Sequence, residues 1–284
     1  MGRWPIVEAS RSYFADPSAF KSIQYAVNDS VATITLNRPK CMNAIDEHMP
    51  IEIKQAVEIA NNDKGVKAIV VTGSGKAFCS GYDLKKYAES PRGTELGSQK
   101  MPWDPYEDYK FMHFANDQYM SLWRSLKPTV AKINGVCVGG GTDIALACDL
   151  TFMVDEALIG YPPARLWGCP TGAMWAYKVG MERAKRILFT GELLTGKRAV
   201  EIGLIGECAP EEQLDQVVSS FLKRIKQVLN NVYEMMGLFS SQRLAVLLDG
   251  MTRHTPEGVD FQKRCEEVGF KKAVLERDFV NSKL

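Results

Sequence analysis

The 284-residue sequence predicts an α/β core to about residue 200, followed by a helical C-terminal region. Up to that point short apolar runs that end in glycine alternate with segments of helical periodicity, and beyond it amphipathic helical patterns continue alone. Apolar residues make up 45% of the chain and charged residues 24%, which is typical of a globular protein. The net charge of +1 gives no indication of a nucleic-acid or membrane-surface partner.

The first elements follow from simple periodicities. Alternating apolar residues on both sides of a turn at residues 28–30 predict a β-hairpin over residues 22–36. Apolar residues at helical spacing predict a helix over residues 45–62, with Pro50 in its first turn. The segment 67–73, with apolar residues at 68–71, predicts a buried strand that ends in glycine. The predicted order of these elements is β-β-α-β.

The next elements surround a run of three glycines. The sequence predicts a strand over residues 130–138, a turn at Gly139-Gly140-Gly141, a helix over 143–149 and a strand over 150–154. Further helices are predicted over 173–190, 197–203 and 211–229, and in the charge-rich remainder 231–280. The segment 88–120 is polar at first and then crowded with aromatic residues. It is either a lid or pocket wall, or an aromatic helix packed on the core.

The glycine run predicts a chemical site. Glycines allow a backbone to come close to a ligand, and the N–H groups at a helix N-terminus attract developing negative charge. Asp143 follows the glycines directly, and a carboxylate at that position can transfer a proton. The sequence therefore predicts an oxyanion stabiliser and an acid/base group side by side between Gly139 and Asp143.

Cysteine usage and the termini bear on the compartment. Seven cysteines without a CxxC pair predict buried thiols in a reducing compartment, and three widely separated histidines make a metal site improbable. No signal-peptide pattern or membrane-length apolar run is present, so we expect a soluble protein. The terminal Ser282-Lys283-Leu284 is a peroxisomal address in a eukaryote, whereas a bacterial chain is expected in the cytoplasm.

Four motifs occur in an order that resembles one family. They are Leu36–Lys40 with Asn43-Ala44, Lys76–Leu84, Lys127–Asp143, and Arg183–Gly191. Together they resemble the crotonase, or enoyl-CoA hydratase/isomerase, superfamily over about residues 22–280. The resemblance implies an α/β spiral of ββα units with a helical C-terminal region for trimerisation. It divides the chain into an N-terminal extension (1–20), a crotonase core (21–205) and a trimerisation region (206–284), assembled as a homotrimer or dimer of trimers.

The resemblance also implies a function and its residues. The substrate is expected to be an acyl-CoA thioester, with coenzyme A as part of the substrate and no metal or redox cofactor. The backbone N–H groups of Tyr82 and Gly140 would form the oxyanion hole, and Asp143 would be the acid/base. Substrate-binding positions are expected at the CoA-lining turn, at the adenine-side wall and beside the acyl group: Lys40, Cys41, Met42, Ser80, Asp83, Leu84, Gly139 and Tyr161. Asp83 is alternatively a helix cap.

One departure from the family pattern leaves the reaction open. Hydratases of this family use two glutamates, but here the first is Asp143 and the second falls on Pro163 or Ala164, neither of which ionises. A single carboxylate makes double-bond isomerisation the simplest reaction to write. Hydration with a water held by Tyr161, thioester hydrolysis, and a non-catalytic CoA-thioester binder are the alternatives. The sequence does not identify the acyl chain.

Overall fold

The computed structural model describes residues 15–83, 86, 105–162, 170–171, 174–235, 264, 267–268 and 272. The chain divides into two compact units, residues 1–223 and 224–284. The first unit contains both sheets described below. In the second unit, the described residues include the end of one long helix and an ion pair between Arg264 and Glu267, with 2.8 Å between Nη1 and Oε2. The three-part division at residues 20 and 205 stays a prediction.

The described elements alternate between strands and helices up to the long last helix. Two short 3₁₀ turns, Pro17–Ala19 and Pro39–Cys41, accompany them. In chain order the elements are β1 (Ile23–Asn28), β2 (Val31–Leu36), α1 (Met49–Asn62), β3 (Ala68–Gly73), β4 (Ala77–Cys79), α2 (Pro105–Trp123), β5 (Thr129–Ile133), β6 (Val136–Val138), α3 (Gly140–Leu146), β7 (Leu150–Val154), β8 (Leu158–Gly160), α4 (Met174–Val179), α5 (Met181–Thr190), β9 (Leu193–Thr195), α6 (Gly196–Glu201), β10 (Glu207–Ala209) and α7 (Glu211–Met235).

The strands form two sheets. The larger has the order β1-β2-β3-β5-β7-β10, in which only the β1–β2 hairpin is antiparallel. The smaller has the order β4-β6-β8-β9, in which β4, β6 and β8 run parallel and β9 runs antiparallel to β8. The hairpin predicted over residues 22–36 is therefore confirmed, with the register Ile23 opposite Leu36.

A repeated unit connects the two sheets. The pairs β3/β4, β5/β6 and β7/β8 each place their first strand in the larger sheet and their second in the smaller one, and in each case the next described helix follows. This arrangement confirms the expected α/β fold of ββα units. The single strand predicted over residues 130–138 was wrong, because the chain leaves one sheet after Ile133 and enters the other at Val136.

Glycines make two of these crossings possible. A Cβ atom on Gly73 would lie 2.1 Å from the carbonyl oxygen of Ala77, and one on Gly135 would lie 2.1 Å from that of Lys76. No side chain can be placed at such a distance, so the crossings need residues without a Cβ atom. Apolar residues lie on both sides of Asn134-Gly135, which explains why the segment suggested one strand.

Several helix boundaries also differ from the prediction, and α1 begins at Met49 instead of residue 45. The helix expected over residues 173–190 is two helices, α4 and α5, separated by Gly180 with a φ of 80°. The helix expected over 143–149 begins three residues earlier, at Gly140, because Gly139 takes a φ of 55° and reverses the chain just before it. Asp143 consequently lies within the first turn of α3.

The helix α2 covers the core with one face. Ala115, Tyr119 and Leu122 are buried in the main hydrophobic cluster, while Tyr106 and Tyr109 are 63% and 60% exposed. The described part of the aromatic segment is thus a helix packed on the core, and the stretch 88–104 lies outside the described residues. Within the described part of the chain, no helix is both long and apolar enough to cross a membrane.

Candidate active site

Three of the segments singled out from the sequence meet at one edge of the smaller sheet. The parallel strands β4, β6 and β8 are neighbours, and their carboxyl ends are followed by Ser80–Asp83, by Gly139–Asp143 and by Tyr161. Loops at the carboxyl ends of parallel strands commonly carry the ligand-binding groups of α/β proteins. The structure therefore brings the predicted oxyanion donors and the predicted acid/base to the same place.

The glycine turn between β6 and α3 is held by hydrogen bonds on both sides. The N–H of Gly139 donates to the carbonyl of Gly160 at 3.1 Å. The carbonyl of Gly139 in turn accepts from the N–H of Thr142 at 2.9 Å and from its hydroxyl at 2.7 Å. The indole N–H of Trp175 donates to the same hydroxyl at 3.4 Å. These bonds fix the direction in which α3 begins.

Backbone contacts join this turn to the loop after β4. A Cβ atom on Gly141 would lie 2.5 Å from the carbonyl oxygen of Cys79, which is fully buried. A Cβ atom on Gly81 would lie 3.2 Å from the carbonyl oxygen of Val138 and 3.4 Å from the nitrogen of Gly140. Position 141 therefore requires glycine for the close approach of the two backbones. Position 81 requires it for the close approach and also for its φ of 89°, which other residues rarely adopt.

The orientation of the Tyr82 N–H group follows from two hydrogen bonds. The carbonyl of Gly81 accepts from the N–H of Ile45 at 2.8 Å, and the N–H of Asp83 donates to the carbonyl of Ile45 at 3.0 Å. In a trans peptide the C=O and N–H of one unit point in opposite directions. Because the Gly81 carbonyl points towards Ile45, the N–H of Tyr82 points away from it.

Two buried phenols lie near the carboxylate of Asp143. A Cβ atom on Gly140 would be 3.0 Å from Cε2 of the Tyr82 ring, so this ring covers the start of α3. Burial raises the pKa of Tyr82 and of Tyr119 far above the usual range, and the negative charge of Asp143 raises both further. Asp143 itself is 4% exposed. Both phenols thus remain protonated beside a nearly buried acid.

The predicted CoA-lining turn lies directly against the loop that carries Tyr82. Met42 and Asn43 take left-handed backbone angles, with φ of 53° and 56°. The N–H of Ser80 donates to the carbonyl of Met42 at 3.0 Å, and its hydroxyl donates to the carbonyl of Cys41 at 3.4 Å. Lys40 is exposed, and Met42 is 44% exposed. This arrangement leaves the turn accessible to a ligand from outside.

Asn43 ties the same turn to the crossing between β3 and β4. It is fully buried, and its side-chain amide donates to the carbonyls of Ser74 at 2.9 Å and Ala77 at 2.8 Å. Its side-chain oxygen accepts from the N–H of Arg38 at 2.8 Å. The sequence analysis named Asn43 only as part of the first family motif. Its structural role could have been suspected, because asparagine is enriched where the backbone turns left-handed.

Asp83 is held in an ion pair. Its Oδ2 lies 2.8 Å from Nη2 of Arg38, and the residue is 8% exposed. The sequence offered two roles for Asp83, on the adenine-side wall or as a helix cap, and did not anticipate this partner. Arg38 is a functional candidate that sequence reasoning missed. The available signal was a basic residue in the first family motif with an acid in the second.

The remaining predicted positions differ in how far the structure describes them. Tyr161 is 4% exposed and belongs to the hydrophobic core at the end of β8. Leu84, and the Pro163-Ala164 pair that replaces the second acid, lie outside the described residues. Among the residues that are described, no group of three His, Cys, Asp or Glu side chains could hold a metal ion. The five described cysteines are free thiols, and burial raises the pKa of Cys79 to about 12.

Comparison with known proteins identifies the family. The family model described as enoyl-CoA hydratase/isomerase matches residues 26–242, which is most of the chain. The chain belongs to the enoyl-CoA hydratase/isomerase family. Members of this family are enzymes, and similar curated proteins are named enoyl-CoA hydratase, crotonyl-CoA hydratase and hydratase-lyase.

Several similar proteins align with most of this chain. A putative enoyl-CoA hydratase from Thermus thermophilus is 33% identical over 82% of this chain and 95% of its own length. A hydroxycinnamoyl-CoA hydratase-lyase from Pseudomonas fluorescens is 31% identical over 72% of this chain and 73% of its own. An enoyl-CoA hydratase from Mycobacterium smegmatis, known from a crystal structure, is 40% identical in sequence. The alignment covers 93% of this chain and 95% of that protein, and the two structures superpose with a TM-score of 0.68.

Proposed function

We propose that this chain is an acyl-CoA enzyme that forms a thioester enolate and transfers a proton through Asp143. The backbone N–H groups of Tyr82 and Gly140 are the proposed oxyanion hole. The observation that carries the proposal is the meeting of two glycine loops at one sheet edge, with the Tyr82 N–H turned away from Ile45 and Asp143 in the first turn of α3. Each preorganised donor to an oxyanion contributes about 3–4 kcal/mol to catalysis.

The proposed chemistry is redox-neutral and needs one base. The Asp143 carboxylate removes a proton from the carbon next to the thioester carbonyl or from its vinylogous position. The electron pair of that C–H bond moves to the carbonyl oxygen, where the two N–H groups stabilise the enolate. Return of the proton to the other carbon shifts the double bond. Asp143 is 4% exposed, so bulk water is largely excluded from the proposed base.

Hydration is the second candidate, favoured by the names of the relatives. Adding water to a 2-enoyl thioester requires one group that deprotonates the water and one that delivers a proton to the α-carbon. Asp143 supplies one of these, and Tyr161, at the same sheet edge, is the group predicted from the sequence for the other. A homotrimer or dimer of trimers is the proposed assembly.

The test is incubation with 2-enoyl-CoA and 3-enoyl-CoA thioesters of short and medium chain, analysed by mass spectrometry. Isomerisation without water addition supports the one-base reaction. Water addition supports hydration and makes Tyr161→Phe the next variant to measure. Release of free CoA indicates hydrolysis. Binding of every thioester without any conversion contradicts the proposal and indicates a non-catalytic binder.

Tyr82→Phe is expected to keep most of the activity. The proposed oxyanion donor is the backbone N–H of Tyr82, which phenylalanine retains together with the ring that packs on Gly140. The measurement is kcat on whichever enoyl-CoA the wild type converts, with a thermal melt to confirm folding. A loss of roughly 10²-fold or more would contradict the backbone assignment, since that is the scale of a lost general acid or base.

A further inference from the structure

The side chain of Arg38 joins three parts of the site. Its Nη2 lies 2.8 Å from Oδ2 of Asp83, and its Nε lies 3.2 Å from Oδ2 of Asp46. Its Nη1 donates to the carbonyl of Ala44. The Arg38 side chain is 20% exposed, and those of Asp46 and Asp83 are 8% and 11% exposed. Arginine suits this position because its planar fork can hold several acceptors at once.

Asp46 is fixed independently of Arg38. Its carboxylate accepts from the hydroxyl of Ser22 at 2.8 and 2.7 Å and from the N–H of Met49, at the start of α1, at 3.0 Å. Both contacts belong to the rigid core, because Ser22 precedes β1 and Met49 is fully buried. Asp46 is therefore the anchored end of the network.

Asp83 is the end that needs support. Among the residues that the structure describes, Arg38 is the side chain that donates to its carboxylate. The N–H of Asp83 forms one of the two backbone bonds to Ile45 that set the direction of the Tyr82 N–H. Movement of Asp83 would rotate the neighbouring peptide and turn the proposed oxyanion donor away.

We propose that Arg38 is a positioning residue. It holds Asp83 in place relative to Asp46 and thereby orients the Tyr82 N–H towards the oxyanion. This inference rests on the proposed function, since it assigns a role in the same oxyanion hole. The backbone of Arg38 also starts the predicted CoA-lining turn: its carbonyl accepts from the N–H groups of Cys41 and Asn43, each at 3.0 Å. Arg38 thus links the predicted CoA-lining turn to the loop that carries Tyr82.

The test compares Arg38→Lys with wild type and with Arg124→Lys. Lysine keeps the positive charge between the carboxylates but cannot hold both of them and the Ala44 carbonyl in one plane. We expect kcat to fall roughly 10- to 100-fold while KM changes much less, because an oxyanion hole acts mainly on the transition state. Arg124 makes the same type of pair, at 2.6 Å with Asp117, on an exposed surface, so Arg124→Lys should leave kcat unchanged.

Two further measurements separate positioning from folding. All kcat values are taken per folded site, counted by CoA-binding stoichiometry, so that partial unfolding does not lower them. Asp83→Asn leaves the Arg38–Asp46 pair intact and should reproduce the fall in kcat. The double variant Arg38→Lys with Asp83→Asn should fall little further, because both changes break one linkage.

The outcomes are distinct. A wild type that converts no enoyl-CoA overturns the proposed function itself. If the wild type is active and Arg38→Lys has the same kcat per folded site, only the positioning role is overturned. The same holds if the fall in kcat of the double variant equals the product of the two single falls. If Arg38→Lys does not fold, Asp83→Asn alone decides: a fall in kcat with little change in KM supports the proposal, and an unchanged kcat overturns it.

Discussion

Asp143→Asn is expected to lower kcat by roughly 10²–10⁴-fold, the usual effect of losing a general base. Asparagine has nearly the same shape but cannot accept a proton from carbon. Folding should be preserved, because the change removes a charge from a site where Asp143 is only 4% exposed. Steady-state kinetics on the wild-type substrate, with a thermal melt, would measure both effects.

The binding of a thioester provides the control for Asp143→Asn. The residues proposed to line CoA are on other segments, so the affinity for an unreactive acyl-CoA should remain close to that of wild type. Turnover at the wild-type rate would show that Asp143 acts only as a carboxylate stabilised at the start of α3 by the helix dipole. In that case the base must be another group.

Gly141→Ala is expected to lower both stability and activity. The new Cβ atom would lie 2.5 Å from the carbonyl oxygen and 2.8 Å from the Cβ of Cys79, so the backbone of β4 or of α3 must move. Overpacking of this kind costs about 1–3 kcal/mol of unfolding free energy. Displacement of the two loops would also misalign the proposed donors, for a loss of roughly 10²-fold or more in kcat. Denaturant unfolding and kinetics measure the two effects.

Two other glycines give matched comparisons. Gly140→Ala would bring its Cβ to 2.9 Å from the end of the Ile45 side chain and 3.0 Å from the Tyr82 ring, which can shift more easily than backbone. It should destabilise less than Gly141→Ala. Gly206→Ala would meet its nearest atom at 3.6 Å and should be tolerated. Equal stability of all three variants would contradict the description of the glycine turn.

The sequence predicted the elements but not their division between sheets. Apolar periodicity located the start of the hairpin to within one residue and that of α1 to within four, and it gave β7 at its observed bounds. It could not separate β5 from β6, because both strands are apolar and the crossing at Gly135 is visible only through the close approach of Lys76. Strands of three residues, such as β4 and β8, are too short to show a period.

The candidate site was predictable where one short segment carries the chemistry. The glycine run and Asp143 are contiguous, so the hypothesis of an oxyanion site there followed from local sequence. The link between Arg38 and Asp83 joins residues 45 positions apart. Such a pair depends on the tertiary contact between two loops, and the sequence offers only a basic residue in one motif and an acid in another.

Deuterium exchange at the α-carbon would show whether this chain stabilises a thioester enolate, as we propose. A saturated acyl-CoA such as butyryl-CoA would be incubated with the protein in deuterated water and its mass followed over time. The proposal predicts deuterium uptake at the α-carbon in the wild type and loss of that uptake in Asp143→Asn. A thioester that binds the wild type but gains no deuterium would contradict enolate formation at this site.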